Sequence, residues 1–118
     1  MRGSGFDFAA FKRAFEHKDF DSWVSFYADD AEWLEYRHSS PPRSPNRMIG
    51  ERQIVVFLRG IRDADLGITL GDEVIGEVRV AFNVDCALSD GRHIFEHVIA
   101  YVRDGQILRQ VDVEAWDG

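Results

Sequence analysis

The sequence predicts an α+β domain in which helices, with one strand among them, precede a curved antiparallel sheet. Three observations carry this expectation. Aromatic and aliphatic residues recur at helical spacing up to Ile61, and after that the apolar period switches to two and holds to residue 116. Two Asp-Gly pairs, Asp90-Gly91 and Asp104-Gly105, stand between alternating segments where hairpin turns belong. Amphipathic helices followed by a meander of half-apolar strands bury their apolar faces on one another, which defines the class.

The elements follow in order. Residues 1–5 carry no fold information and read as a disordered or tag-derived lead-in. Phe8, Phe11 and Phe15 mark a first helix; Phe20, Trp23, Val24 and Tyr27 mark a second, with Asp19 or Asp21 as its cap and residues 16–19 as the joint. Residues 31–36, AEWLEY, alternate as a strand, with Trp33 and Glu35 on one side and Leu34 and Tyr36 on the other. Pro41, Pro42 and Pro45 exclude ladder or helix from residues 37–47, the longest irregular loop. A third amphipathic helix spans residues 50–61 through Ile54, Phe57, Leu58 and Ile61. Strands are expected at 67–77, 78–88, 92–103 and 106–116.

The 118 residues make one domain, 1–118, long enough for a proper core, and 45% apolar with 30% charged residues is ordinary for a globular chain. A formal net charge of −7 with scattered arginines argues against nucleic acid or an anionic membrane as partner. The single cysteine, Cys86, has no disulfide partner within the chain and reads as a small buried hydrophobe. No apolar run reaches the ~20 residues of a membrane span, and no signal-peptide pattern occurs, so the expected location is the cytoplasm. His93 and His97 lie about 13 Å apart on a strand, too far to share one ion. No nucleotide-binding or Ser-His-Asp pattern is present. No metal or cofactor is expected.

Function turns on the faces of the strands. In QVDVEAW, residues 110–116, Val111, Val113 and Ala115 oppose Gln110, Asp112, Glu114 and Trp116. In residues 81–88, Phe82, Val84, Cys86 and Leu88 oppose Ala81, Asn83, Asp85 and Ala87; in 93–103, Ile94, Glu96, Val98, Ala100 and Val102 oppose His93, Phe95, His97, Ile99 and Tyr101. A sheet with one wet face accounts for the pattern. Carboxylates set among small and aromatic residues equally describe the lining of a pocket.

Three stretches carry a family resemblance: FYADDAEWLEY at residues 26–36, GERQIVVFL at 50–58 and VRDGQILRQVDV at 102–113. In order and spacing the chain resembles the nuclear transport factor 2-like superfamily, in particular its SnoaL-like members, over nearly its whole length. The resemblance implies a cone-shaped, strongly curved antiparallel sheet packed on three N-terminal helices and enclosing a pocket. It implies that Asp112, Asn83, Asp85, Trp33 and Glu35 point into that pocket.

Three family chemistries bear on these positions. Against the ketosteroid isomerases, whose oxyanion site is a well-known case of pKa tuning, Glu35 matches the base. Phe11 and Ala100 stand at the positions of the oxyanion donors, which argues against steroid isomerisation. Against the polyketide cyclases, Asp112 matches the acid–base residue. Against the limonene epoxide hydrolases, Asp85 and Asp112 match the carboxylate pair, with Asp112 as base and Asp85 as acid. Asn83, Trp33 and Glu35 replace that family's Arg, Tyr and Asn. With the bridging Arg gone, three close carboxylates repel, and at least one is expected to stay protonated near neutral pH.

The expected site therefore has Asp112, Asp85 and Glu35 as catalytic groups, with Asn83, Trp33, Trp116, Phe11, Ala100 and Gln110 around a small-molecule ligand. Two functions of different class stand side by side: a cofactor-independent acid–base enzyme for hydration, isomerisation or cyclisation of a small apolar substrate, and a non-catalytic ligand-binding or dimeric assembly module. Phe95, Ile99, Tyr101, Val111 and Val113 would leave an apolar outer sheet face for a homodimer.

Overall fold

The computed structural model describes residues 5–118, so the first four residues of the expected lead-in lie outside the described residues. Asp7 starts α1 (Phe8–Glu16) by accepting the Ala10 amide at 3.0 Å, which satisfies one of the amides a helix start leaves free. Phe8, Phe11, Ala14 and Phe15 form its buried stripe. Lys18, at φ 54, turns the chain into α2 (Phe20–Ser25), with Asp19 at the N-cap position but no capping bond from its side chain. The helical stripe expected to reach Tyr27 stops short. Tyr27 is the first residue of β1 (Tyr27–Tyr36).

The proline-bearing segment is also shorter than expected. Its last two residues open an extra strand, β2 (Asn46–Ile49), which pairs with β1 and leads into α3 (Gly50–Asp63). The meander follows as β3 (Leu66–Ile75), β4 (Arg79–Leu88), β5 (His93–Arg103) and β6 (Gln106–Trp116). The six strands lie in the order β2-β1-β6-β5-β4-β3, forming one open sheet with the helices against it. The sheet is mixed and not purely antiparallel, because β6 docks parallel to β1. The long chain between those two strands, which includes α3, makes the crossover that parallel pairing requires.

Two local devices set which side chains face the helices. Between β4 and β5, Leu88 and Arg92 close a three-residue loop (Leu88 N–H to Arg92 O, 2.8 Å), with Gly91 at φ 91. Between β5 and β6, Asp104 and Gly105 take φ 53 and 81, as a tight two-residue turn demands. One step on, the register shifts: Val102 pairs with Ile107 and Tyr101 with Arg109, leaving Leu108 as a bulge. Ile107 and Gln110 therefore both point inward although they are three apart.

The core forms where Phe11, fully buried, meets the rings of Phe6, Phe15, Phe26 and Phe82 at centroid distances of 5.4–5.7 Å. Phe11→Ala is expected to cost about 3–5 kcal/mol, as truncation of a buried aromatic does. Urea denaturation of the two proteins measures this through the shift of the midpoint at unchanged slope.

Candidate active site

The inner faces of β1, β5 and β6 meet α3 and the end of α1 around a cavity of about 220 Å³. Phe15, Phe57, Ile61, Leu66, Cys86 and Ile94 supply apolar wall. Trp33 and Trp116 add indole rings, and Glu35, Glu96, Asp112 and Glu114 supply carboxyl groups. Sheet register brings the acids together. Glu35 lies beside Asp112 across the parallel β1–β6 pair, and Glu96 lies directly opposite Glu114 across β5–β6. Neighbouring strands are only about 4.8 Å apart. Carboxylate oxygens of Glu35, Asp112 and Glu114 come within 4.8 Å of one another.

Asp112 is 1% exposed, and donors meet both of its oxygens. The Trp33 indole N–H donates to Oδ2 at 2.9 Å and the Gln110 amide to Oδ1 at 3.3 Å. Gln110 in turn accepts the Tyr27 hydroxyl at 2.7 Å. Asn46 donates to Glu35 at 3.1 Å, and the Trp116 indole donates to Glu114 at 2.8 Å. At the rim, the Arg37 guanidinium carbon lies 4.6 Å from the centroid of the Trp116 ring.

Burial controls the protonation of this group of acids. Desolvation pushes the Asp112 carboxyl up to about 7; the Trp33 and Gln110 donors pull it down, and the charge of Glu35 pushes it up again. Burial, reinforced by Glu35, lifts Glu114 to about 9. Burial and the charges of Asp112, Glu114 and Glu35 lift Glu96 to about 10. Near neutral pH this cavity holds protonated carboxyl groups next to one that is about half ionised. Three carboxylates at this separation could span a hard cation, but N–H donors already occupy oxygens of Asp112 and Glu114.

The structure brings together Asp112, Glu35, Trp33 and Trp116 at the cavity, with Gln110 directly behind Asp112. It separates the others. Asp85 and Asn83 point to the outer face, where Asp85 meets His93 at 2.9 Å and Asn83 meets His97 at 2.5 Å and Asp72 at 2.8 Å. The reason is parity: the three-residue loop sets Asp85 opposite Phe95, and a one-residue change of register would have set it opposite Glu96. Phe11 and Ala100 are fully buried core residues away from the cavity lining. Glu96 and Glu114 also line the cavity, and neither lies in a sequence motif that singles it out. The signal that finds them is strand parity: Glu96 shares the alternating face of Ala100, and Glu114 that of Asp112.

Volume alone does not select this site. A hollow of about 480 Å³ beside α1 and α2 is larger, but Arg13, His17, Asp19, Ser22 and Ser25 on its lining are all exposed. A groove of about 640 Å³ runs outside the cavity and shares Arg37, Glu114 and Trp116 with it.

No protein-family model matches the chain, and no curated protein does. Solved structures share its fold. One is an NTF2-like protein of unknown function from Mesorhizobium loti, 16% identical over 94% of this chain and 88% of that one, with a TM-score of 0.76. Another is a candidate ketosteroid isomerase from Kribbella flavida DSM 17836, 17% identical over 93% and 74%, with a TM-score of 0.75. A third is an LEH-like epoxide hydrolase from M. tuberculosis, 18% identical over 92% and 79%, with a TM-score of 0.66. The fold of this chain is the NTF2-like fold. Among the described residues, no helix is long and apolar enough to cross a membrane.

The raised acids have a consequence for stability. Their ordinary values lie near 4, so the folded state holds more protons than the unfolded chain at every pH between about 4 and their folded values of about 7, 9 and 10. Their contribution is fully present below pH 4 and is lost as pH rises through those values. The melting temperature is expected to fall between pH 5 and pH 9. Glu96→Gln, which keeps the shape without the charge, is expected to flatten that fall and to raise Tm at pH 8.5 by roughly 4 °C. Thermal melts across pH check both.

Proposed function

We propose that this protein is a cofactor-independent acid–base enzyme that hydrates, isomerises or cyclises a small, mostly apolar substrate. The observation that carries the reading is Asp112: a buried carboxyl, half ionised near neutral pH, within 4.8 Å of Glu114 and Glu35 at the edge of an apolar cavity. In its ionised form Asp112 takes a proton from water or from a substrate carbon. Glu114, protonated at the same pH, gives one to a substrate oxygen, the role first assigned to Asp85. Two carboxyl groups whose surroundings push their pKa values apart divide the roles of base and acid in this way. Glu35 tunes both through its charge. The apolar walls limit bulk water around the acids, which keeps each proton transfer directed. That solved structures of this fold include an LEH-like epoxide hydrolase supports the reading.

Screening small epoxides and enones for turnover is the test. The wild type is expected to turn over at least one compound, with a pH optimum between about 7 and 9. Asp112→Asn is expected to lower kcat/KM by about 10²–10⁴-fold, the usual share of general acid–base catalysis. Unchanged turnover in Asp112→Asn would overturn the assignment. Saturable binding without turnover would favour a ligand-binding module instead.

We infer further that the outer sheet face meets a second copy of the chain. Phe95, Ile99 and Val113 are 41%, 45% and 57% exposed there, on the adjacent strands β5 and β6. Light scattering is expected to give the mass of a dimer for the wild type and of a monomer for Ile99→Glu; a monomeric wild type would overturn the inference.

A further inference from the structure

Tyr27 stands behind the cavity acids, and the proton-transfer scheme leaves it unused. It is buried, and its hydroxyl lies 2.7 Å from Gln110 Oε1. Gln110, itself 1% exposed, has a donor end and an acceptor end and two neighbours to serve. Asp112 Oδ1, when ionised, can only accept. The amide must then present Nε2 to Asp112, leaving Oε1 for a donor on its other side, and the Tyr27 hydroxyl is that donor. The Tyr27 ring also lies parallel to the Trp33 indole, with centroids 5.7 Å apart and planes 5° apart, and Trp33 is the other donor to Asp112. One side chain thus orders both N–H groups that the carboxylate receives.

We propose that Tyr27 is a positioning residue for Asp112: its hydroxyl locks the Gln110 amide with Nε2 toward the carboxylate, and so biases Asp112 toward its ionised form. The proposal rests on Asp112 as the proton-transferring group of the cavity. Without the hydroxyl, Gln110 Oε1 is left buried with no donor, which a buried acceptor does not tolerate without cost. With the hydroxyl gone neither orientation of the amide satisfies both of its ends, so the lock is lost and the amide can turn over to let Oε1 accept the O–H of protonated Asp112. The neutral acid is then the favoured form. Burial, and next to it the charge of Asp112, keeps the Tyr27 hydroxyl protonated far into the alkaline range, so it donates at every working pH. The other ionisable groups around Asp112 are Glu35 and Arg37 at the end of β1, Cys86 on β4, Glu96 on β5 and Glu114 on β6. α1 and α3 present Phe15, Phe57 and Ile61. Tyr27→Phe alters none of these and keeps the ring stacked on Trp33.

The test is direct titration of the Asp112 side-chain carboxyl carbon by ¹³C NMR, which needs no substrate. In the wild type the midpoint is expected at about 7. Tyr27→Phe is expected to raise it by about one pH unit. Gln110→Met, which removes the donor itself, is expected to raise it at least as far. Adding Tyr27→Phe to Gln110→Met is expected to change nothing more. An unmoved midpoint in Tyr27→Phe would overturn the proposal, and so would an equal further shift in the Gln110→Met background, since Tyr27 would then act on Asp112 by another route. Should Tyr27→Phe not fold, Gln110→Met carries the test alone, and an unmoved midpoint there overturns the proposal. Failure of the catalytic reading would show elsewhere, as undiminished turnover in Asp112→Asn.

Discussion

A carboxyl group fully enclosed in a protein interior demands either a proton or donors, because the charged form loses its water without replacement. Asp112 sits under that demand at the middle of a buried sheet face, and much of its surroundings answers it. Trp33 and Gln110 bring N–H groups to its two oxygens, and Tyr27 completes the chain behind Gln110. These are polar functions set among aromatic rings, in a layer where Phe82, Val98 and Ile107 would otherwise meet only apolar neighbours. The donors do not fully offset burial and the nearby charge of Glu35, so the group is left with a pKa of about 7, well above that of a free Asp.

The same face holds three further acids because of sheet register. Across the sheet, Asn46, Glu35, Asp112, Val98 and Phe82 form one row, and Glu114 and Glu96 stand side by side in the neighbouring row. Like charges directly opposite one another weaken a sheet, and here burial adds to the penalty. Protonation removes most of it. The cavity thereby becomes a small store of protons with apolar walls, at some expense in stability as pH rises.

The bulge at Leu108 is what aligns this arrangement. Had β6 continued in phase with Ile107, Val111 and Val113 would face the helices and Asp112 would face outward. One extra residue reverses that choice for the rest of the strand. Such bulges re-aim side chains beside functional sites. Here it separates an ordinary core, around Phe11 and Ile107, from the acid-lined cavity a few residues further along the same strand. The cavity is small, and Phe57, Trp33 and Trp116 wall it beside the acids, so the space matches a compact, largely apolar molecule of the kind proposed above.

The amino-acid sequence by itself determined the helices and the meander, because period 3.6 and period 2 are local properties that packing only confirms. It also separated Asp112, Gln110, Glu114 and Trp116 from Val111 and Val113, since alternation sorts a strand into two faces. Alternation does not say which face is the inside. For β6 and β1 the family resemblance resolved this as the structure does; for β4 it did not, and Asp85 and Asn83 turned outward. That outcome depended on a loop of three residues at Ser89–Gly91, a difference of one residue that reverses every side chain on the strand. β2 was hidden behind prolines and is only four residues long. Tyr27 kept the helical spacing of its predecessors and yet began a strand. The meeting of Tyr27, Trp33, Gln110 and Asp112 belongs to tertiary structure alone: it requires β1 to dock parallel on β6, joining residues some eighty positions apart in the chain. No local pattern can encode a contact made at that distance.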